Sequence, residues 1–85
     1  MATMLELFSD DDTRMIFDSL TSRKRADLRG LRESLNIPEE KASSALEKLV
    51  SAGLVEQVNG PVPDFNTYYL TAKGLAASRQ LRAVS

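Results

Sequence analysis

Asn36-Ile37-Pro38-Glu39-Glu40-Lys41-Ala42-Ser43-Ser44-Ala45-Leu46-Glu47-Lys48-Leu49-Val50-Ser51-Ala52-Gly53-Leu54-Val55 decides the fold. It reads as a turn, one amphipathic helix over 38–52, a glycine stop and the start of a strand over 54–58. Pro38 suits the first helical position, where the N–H it lacks would have no partner. A residue before proline is biased away from helix, which leaves Asn36 and Ile37 for the turn. Ala42, Ala45, Leu46, Leu49 and Val50 recur at helical spacing and form one apolar stripe. Gly53 supplies the left-handed conformation that ends a helix. Beyond it the chain alternates, with Leu54, Glu56 and Val58 on one side and Val55 and Gln57 on the other.

The residues just upstream form a second helix over 28–35, with Leu28, Leu31 and Leu35 on its inner face. Two helices joined by so short a turn make a helix-turn-helix, with 38–52 as the recognition half. Further back, Ser9 and the carboxylates of Asp10, Asp11 and Asp12 predict the start of a helix. The serine can cap it and the acids favour the positive end of its dipole. That helix is expected to reach about residue 20, with Ile16, Phe17 and Leu20 facing the core. Thr21 to Arg25 reads as a polar, basic connection, Ala26 as part of a short strand, and Asp27 as the cap of the next helix.

Downstream, Asn59-Gly60 signals a turn, and Pro61 and Pro63 widen it. Thr67-Tyr68-Tyr69-Leu70-Thr71 is β-branched and aromatic, and predicts a second strand antiparallel to the first. Tyr68 and Tyr69 alternate, so one of them faces the core. Thr71 is placed to cap a last helix over 72–83, with Leu75, Ala76 and Leu81 as its apolar contacts. The expected fold is mainly α with a small antiparallel β-hairpin, in the order α-β-α-α-β-β-α. No repeat or linker interrupts it, so one domain over 1–85 is expected. Its first eight residues are read as a frayed or dimer-docking segment.

Composition narrows the chemistry. The chain has 85 residues, no cysteine and no histidine. Disulfides and thiolate metal sites are thereby excluded, and so are the commonest general base and the commonest metal ligand. The four glycines, Gly30, Gly53, Gly60 and Gly74, are scattered and form no phosphate loop. We expect no enzyme, no cofactor and no bound metal. No apolar run is long enough to span a membrane, and residues 1–8 have no positive charge or cleavage-like site. A cytoplasmic location is the expectation.

The net charge of −1 gives no general attraction to nucleic acid, but the charge is sorted along the chain. Residues 22–36 hold Arg23, Lys24, Arg25, Arg29 and Arg32 against Asp27 and Glu33, a local +3. Residues 1–21 carry −4, with Arg14 as the sole cation.

Two stretches carry a family resemblance. Leu46-Glu47-Lys48-Leu49-Val50-Ser51-Ala52-Gly53-Leu54-Val55-Glu56 resembles a signature of bacterial winged-helix regulators of the MarR and PadR type. Tyr68-Tyr69-Leu70-Thr71-Ala72-Lys73-Gly74 resembles the passage from their wing into the following helix. The likeness runs from about Asp10 to Arg82. It implies a winged helix with a three-helix core, a hairpin wing and a C-terminal helix. It also implies a DNA-binding transcriptional regulator that sets its third helix in the major groove and its wing on phosphates or the minor groove. Carried over, Lys41, Ser43, Ser44 and Lys48 become the helix-three contacts. Arg23, Lys24 and Arg25 become backbone contacts ahead of helix two, and Lys73 a phosphate contact after the wing. Arg29 extends the basic band along helix two.

Double-stranded DNA is the expected partner. A homodimer through the N-terminal segment and the C-terminal helix would double the phosphate contacts. Two features point elsewhere. Glu40 and Glu47 share the outermost face of helix three with Ser44 and Ser51, and residues 49–72 contain no Lys or Arg. The alternative is a winged-helix module that binds protein rather than DNA.

Overall fold

The computed structural model describes residues 7–84, with side chains to residue 81. Helix α1 spans Asp11–Arg23, strand β1 Arg25–Asp27, helix α2 Leu28–Leu35 and helix α3 Glu39–Ser51. Strand β2 (Val55–Val58), a 3-10 turn (Pro63–Phe65), strand β3 (Thr67–Leu70) and helix α4 (Ala72–Val84) follow. This is the expected winged-helix order. All three strands join one antiparallel sheet with β3 in the middle, β1 on one edge and β2 on the other.

The core forms where the apolar stripes of α1 and α3 meet. Ile16, Phe17 and Leu20 from α1 pack with Ala42, Ala45, Leu46 and Leu49 from α3, all of them buried. Leu28 and Leu31 of α2 close one side, and Leu54, Val55 and Tyr68 bring in the sheet. Leu7 and Phe8 also belong to this core, with the Phe8 ring 4.9 Å from that of Phe17. The sequence reading had assigned both to a frayed or dimer-docking segment. An apolar pair just ahead of α1 lowers its free energy by packing on Phe17 instead. The rest of that segment, residues 1–6, lies outside the described residues.

Helix boundaries differ from expectation in ways the backbone explains. Asp10, not Ser9, is the N-cap of α1, and its carboxylate accepts the buried Thr13 hydroxyl at 2.8 Å. The helix continues to Arg23, and within it the buried Thr21 hydroxyl donates to the Phe17 carbonyl at 2.9 Å. Lys24, at φ 72°, then ends it in the left-handed region, a conformation uncommon for a residue with a Cβ. Pro38 caps α3 instead of opening it, since its carbonyl accepts the Ala42 N–H at 3.0 Å. Asp27 caps α2 as expected, accepting from the Gly30 N–H at 2.7 Å. Gly53 takes the anticipated left-handed turn at φ 78°.

Helix α4 packs through small residues. Gly74, Ala77 and Ser78 are buried, whereas Leu75 is half-buried and Ala76 exposed. The backbone explains the shift from the expected face. The Leu54 carbonyl, which accepts the Thr71 N–H at 3.1 Å, lies where a Cβ on residue 74 would stand. Thr71 caps the helix, its oxygen accepting the Gly74 N–H and its hydroxyl donating to the Gly53 carbonyl.

Two outcomes follow from this packing. Gly74→Ala has no room to relax against a carbonyl oxygen and is expected to cost about 2 kcal/mol, read by thermal melting. Tyr68 is the buried member of the tyrosine pair. Burial pushes its phenol above the ordinary value of 10.0, while a hydrogen bond with Asn66 works the other way. A raised folded-state value means that its contribution to stability is intact below pH 10 and is lost as pH rises through the higher folded value. Alkaline titration followed at the tyrosinate absorbance is expected to show one late-ionising phenol, absent from Tyr68→Phe.

Candidate nucleic-acid interface

Packing of the α3 stripe on α1 leaves the opposite face of α3 in solvent. Glu40, Lys41, Ser44, Glu47, Lys48 and Ser51 are exposed there, and Ser43 is half-buried on the flank. Serines on such a face are short donors and acceptors able to meet a base edge.

The cations around this face divide into committed and uncommitted groups. Lys48 lies 3.8 Å from the Asp10 carboxylate at the start of α1. The Thr13 hydroxyl bond holds that carboxyl below its ordinary value and so keeps it charged. Arg29 pairs with Glu33 one turn along α2 at 3.0 Å, an exposed pair of the kind that contributes little to stability. The Arg23 guanidinium donates to the Ser34 hydroxyl at 3.0 Å, which lays it along α2. The stem of Lys73 lies over Gly53, at the carbonyl end of α3, where a cation complements the helix dipole. Lys24, Arg25 and Lys41 are exposed and form no ion pair among the described residues.

Arg25 does not stand in a loop, as expected, but on edge strand β1 opposite Tyr69. Arg23, Arg25, Asp27, Gly30, Thr67 and Tyr69 line most of an open groove of about 340 Å³. Strand pairing thus brings the start of the basic band beside the second wing strand. Sequence alone could not place these together, because β1 is only three residues long.

The structure also assigns a role to a residue that sequence reasoning had only counted in the basic band. Arg32 reaches from α2 to the wing, where its Nη2 is 3.0 Å from the Asp64 carboxylate. Its Nη1 lies 3.9 Å from Glu39 at the first turn of α3. Asp64 is the lone charged residue between Glu56 and Lys73, which was the available signal. Around it the wing exposes apolar side chains, Val58, Val62 and Phe65, each close to half accessible.

Structural comparison agrees with the fold. The reduced form of YodB from B. subtilis superimposes with a TM-score of 0.79 at 20% identity, covering 99% of this chain and 88% of that one. A MarR family transcription regulator at 26% identity gives a TM-score of 0.76 over 93% of this chain and 53% of its own. A mutant E. coli MarR complexed with operator DNA gives 0.70 at 23% identity, over 87% and 56% of the two chains. The chain spans about half the length of these MarR structures. No curated protein matches the sequence. A family model, that of the sugar-specific transcriptional regulator TrmB, matches residues 8–76. With the helix-turn-helix and the wing inside that match, the chain belongs to the TrmB family of transcriptional regulators.

Proposed function

We propose that this chain binds double-stranded DNA as a transcriptional regulator, with α3 in the major groove. The observation that carries the reading is the exposed face of α3, where Ser44 and Lys41 are exposed, Ser43 flanks them half-buried, and Lys41 forms no ion pair among the described residues. Lys24 and Arg25 supply phosphate contacts beside the groove at β1, with Arg23 and Arg29 along α2 and Lys73 behind the wing. Lys48 contributes only by loosening its hold on Asp10. Phosphate neutralisation supplies most non-specific affinity, and few free cations mean weak binding by one copy. A homodimer through α4 would supply a second set.

A second reading is favoured by the wing. Val58, Val62 and Phe65 are exposed and the hairpin carries no cation of its own, as on a surface that binds protein.

Fluorescence anisotropy of a labelled mixed-sequence duplex separates the two. Under the DNA reading, binding at low salt falls steeply as salt rises. Arg25→Glu and Lys41→Glu each weaken it for every sequence and lower the salt slope by about 1. Absence of low-salt binding by the folded protein would turn the search to protein partners. Lys24→Gly divides charge from backbone. Relief of the left-handed conformation is expected to stabilise the fold by about 1 kcal/mol while duplex affinity drops.

A further inference from the structure

Resting on the DNA reading, we infer that Arg32 is a positioning residue that fixes the wing in one orientation against the recognition helix. Four parts of the domain meet at this residue. Its Cα belongs to α2, and its carbonyl accepts the Asn36 N–H and, at 3.2 Å, the Ile37 N–H, closing the turn into α3. Its guanidinium faces Asp64 at 3.0 Å and Glu39 at 3.9 Å. The side chain is 27% exposed, and its Nε is covered with no hydrogen-bond partner among the described residues. A guanidinium held this way is restricted to a narrow range of orientations.

The wing is attached to α2 at two points. The Leu28 N–H donates to the Asn66 carbonyl at 3.0 Å, and Arg32 holds Asp64. Leu28 and Arg32 are four positions apart, so the two attachments lie about one turn apart along the helix. The β1–β3 ladder and the Leu28 bond hold the base of β3, and the Arg32 pair adds a hold on the loop ahead of it. The loop that carries Asp64 and Asn66 is internally braced. Phe65 donates to the Val62 carbonyl, Asn66 to the Pro63 carbonyl, and the Gly60 N–H to the Asn66 side chain at 2.9 Å. The wing is therefore an ordered edge set at a fixed distance from the first turn of α3, before any DNA arrives. The same pair masks the single negative charge of the wing loop, which would otherwise face a polyanion.

Asp64→Asn tests the assignment. It removes a negative charge, which by simple electrostatics strengthens DNA binding. Arg32 as a positioning residue predicts the reverse. On the free protein, amide exchange at residues 60, 65 and 66 becomes about tenfold faster while α1 and α3 stay protected. Duplex affinity falls about tenfold, with the salt slope unchanged because no phosphate contact is lost. Arg32→Gln has the same effect, and the double variant is no worse than either single one. Unchanged exchange in the wing would overturn the assignment. So would tighter binding with a steeper slope, which would make Arg32 a phosphate contact that Asp64 withholds. Exchange is read without DNA, so a parent protein that binds no duplex sinks the DNA reading alone. The exchange result still decides whether Arg32 holds the wing.

Discussion

The contact between α1 and α3 is the constraint on which the rest depends. Ala42, Ala45, Leu46 and Leu49 are almost fully inaccessible against Ile16, Phe17 and Leu20. Each buried large apolar side chain contributes about 2 kcal/mol, so this seam supplies a large share of what a small domain can gather. Two alanines at its centre occupy little volume and bring the α3 backbone close to its neighbours. Once the stripe is buried, the opposite face of α3 has no choice but solvent. Presentation of Ser43 and Ser44 is thus a by-product of packing.

Elements with a strong local signal were legible in the sequence. The α3 stripe, the Gly53 stop, the Asp27 cap and the Thr71 cap each rest on one residue type in one backbone conformation. Element ends were less legible. Lys24 ends α1 in a conformation usually left to glycine or asparagine, so the basic run hid a helix end. The buried face of α4 was misread because Leu75 and Ala76 look more apolar than Gly74 and Ser78. Close approach to the Leu54 carbonyl selected the small residues, and no periodicity encodes that.

The candidate site was legible as a charge band, and its internal pairing was not. Seven cations stood as equivalents in the sequence: Arg23, Lys24, Arg25, Arg29, Lys41, Lys48 and Lys73. The fold separates them by partners distant in sequence, Asp10 for Lys48 and Ser34 for Arg23, or by a local one, Glu33 for Arg29. Such exposed pairs add little stability. Their consequence is electrostatic: the carboxylates of Asp10 and Glu33 offset Lys48 and Arg29 in the field presented to a polyanion, whereas Arg23 on a neutral hydroxyl keeps its charge. The acidic composition is compatible with a DNA-facing surface because the acids at the start of α1 and on α2 are partly engaged in this way.

The wing shows how far such engagement reshapes a surface. A loop bearing an aspartate and no cation is ill suited to phosphates if it projects freely. Folded along α2, with Asp64 against Arg32, it offers apolar side chains and backbone at a set distance from α3. Contact of that kind gains from shape and desolvation and carries almost no salt dependence, unlike contact through lysines. A wing of this composition can assist recognition only if its position is settled beforehand, since no long-range attraction draws it into place. Rigidity therefore substitutes for charge, and it depends on one arginine whose sequence neighbours give no hint of the task.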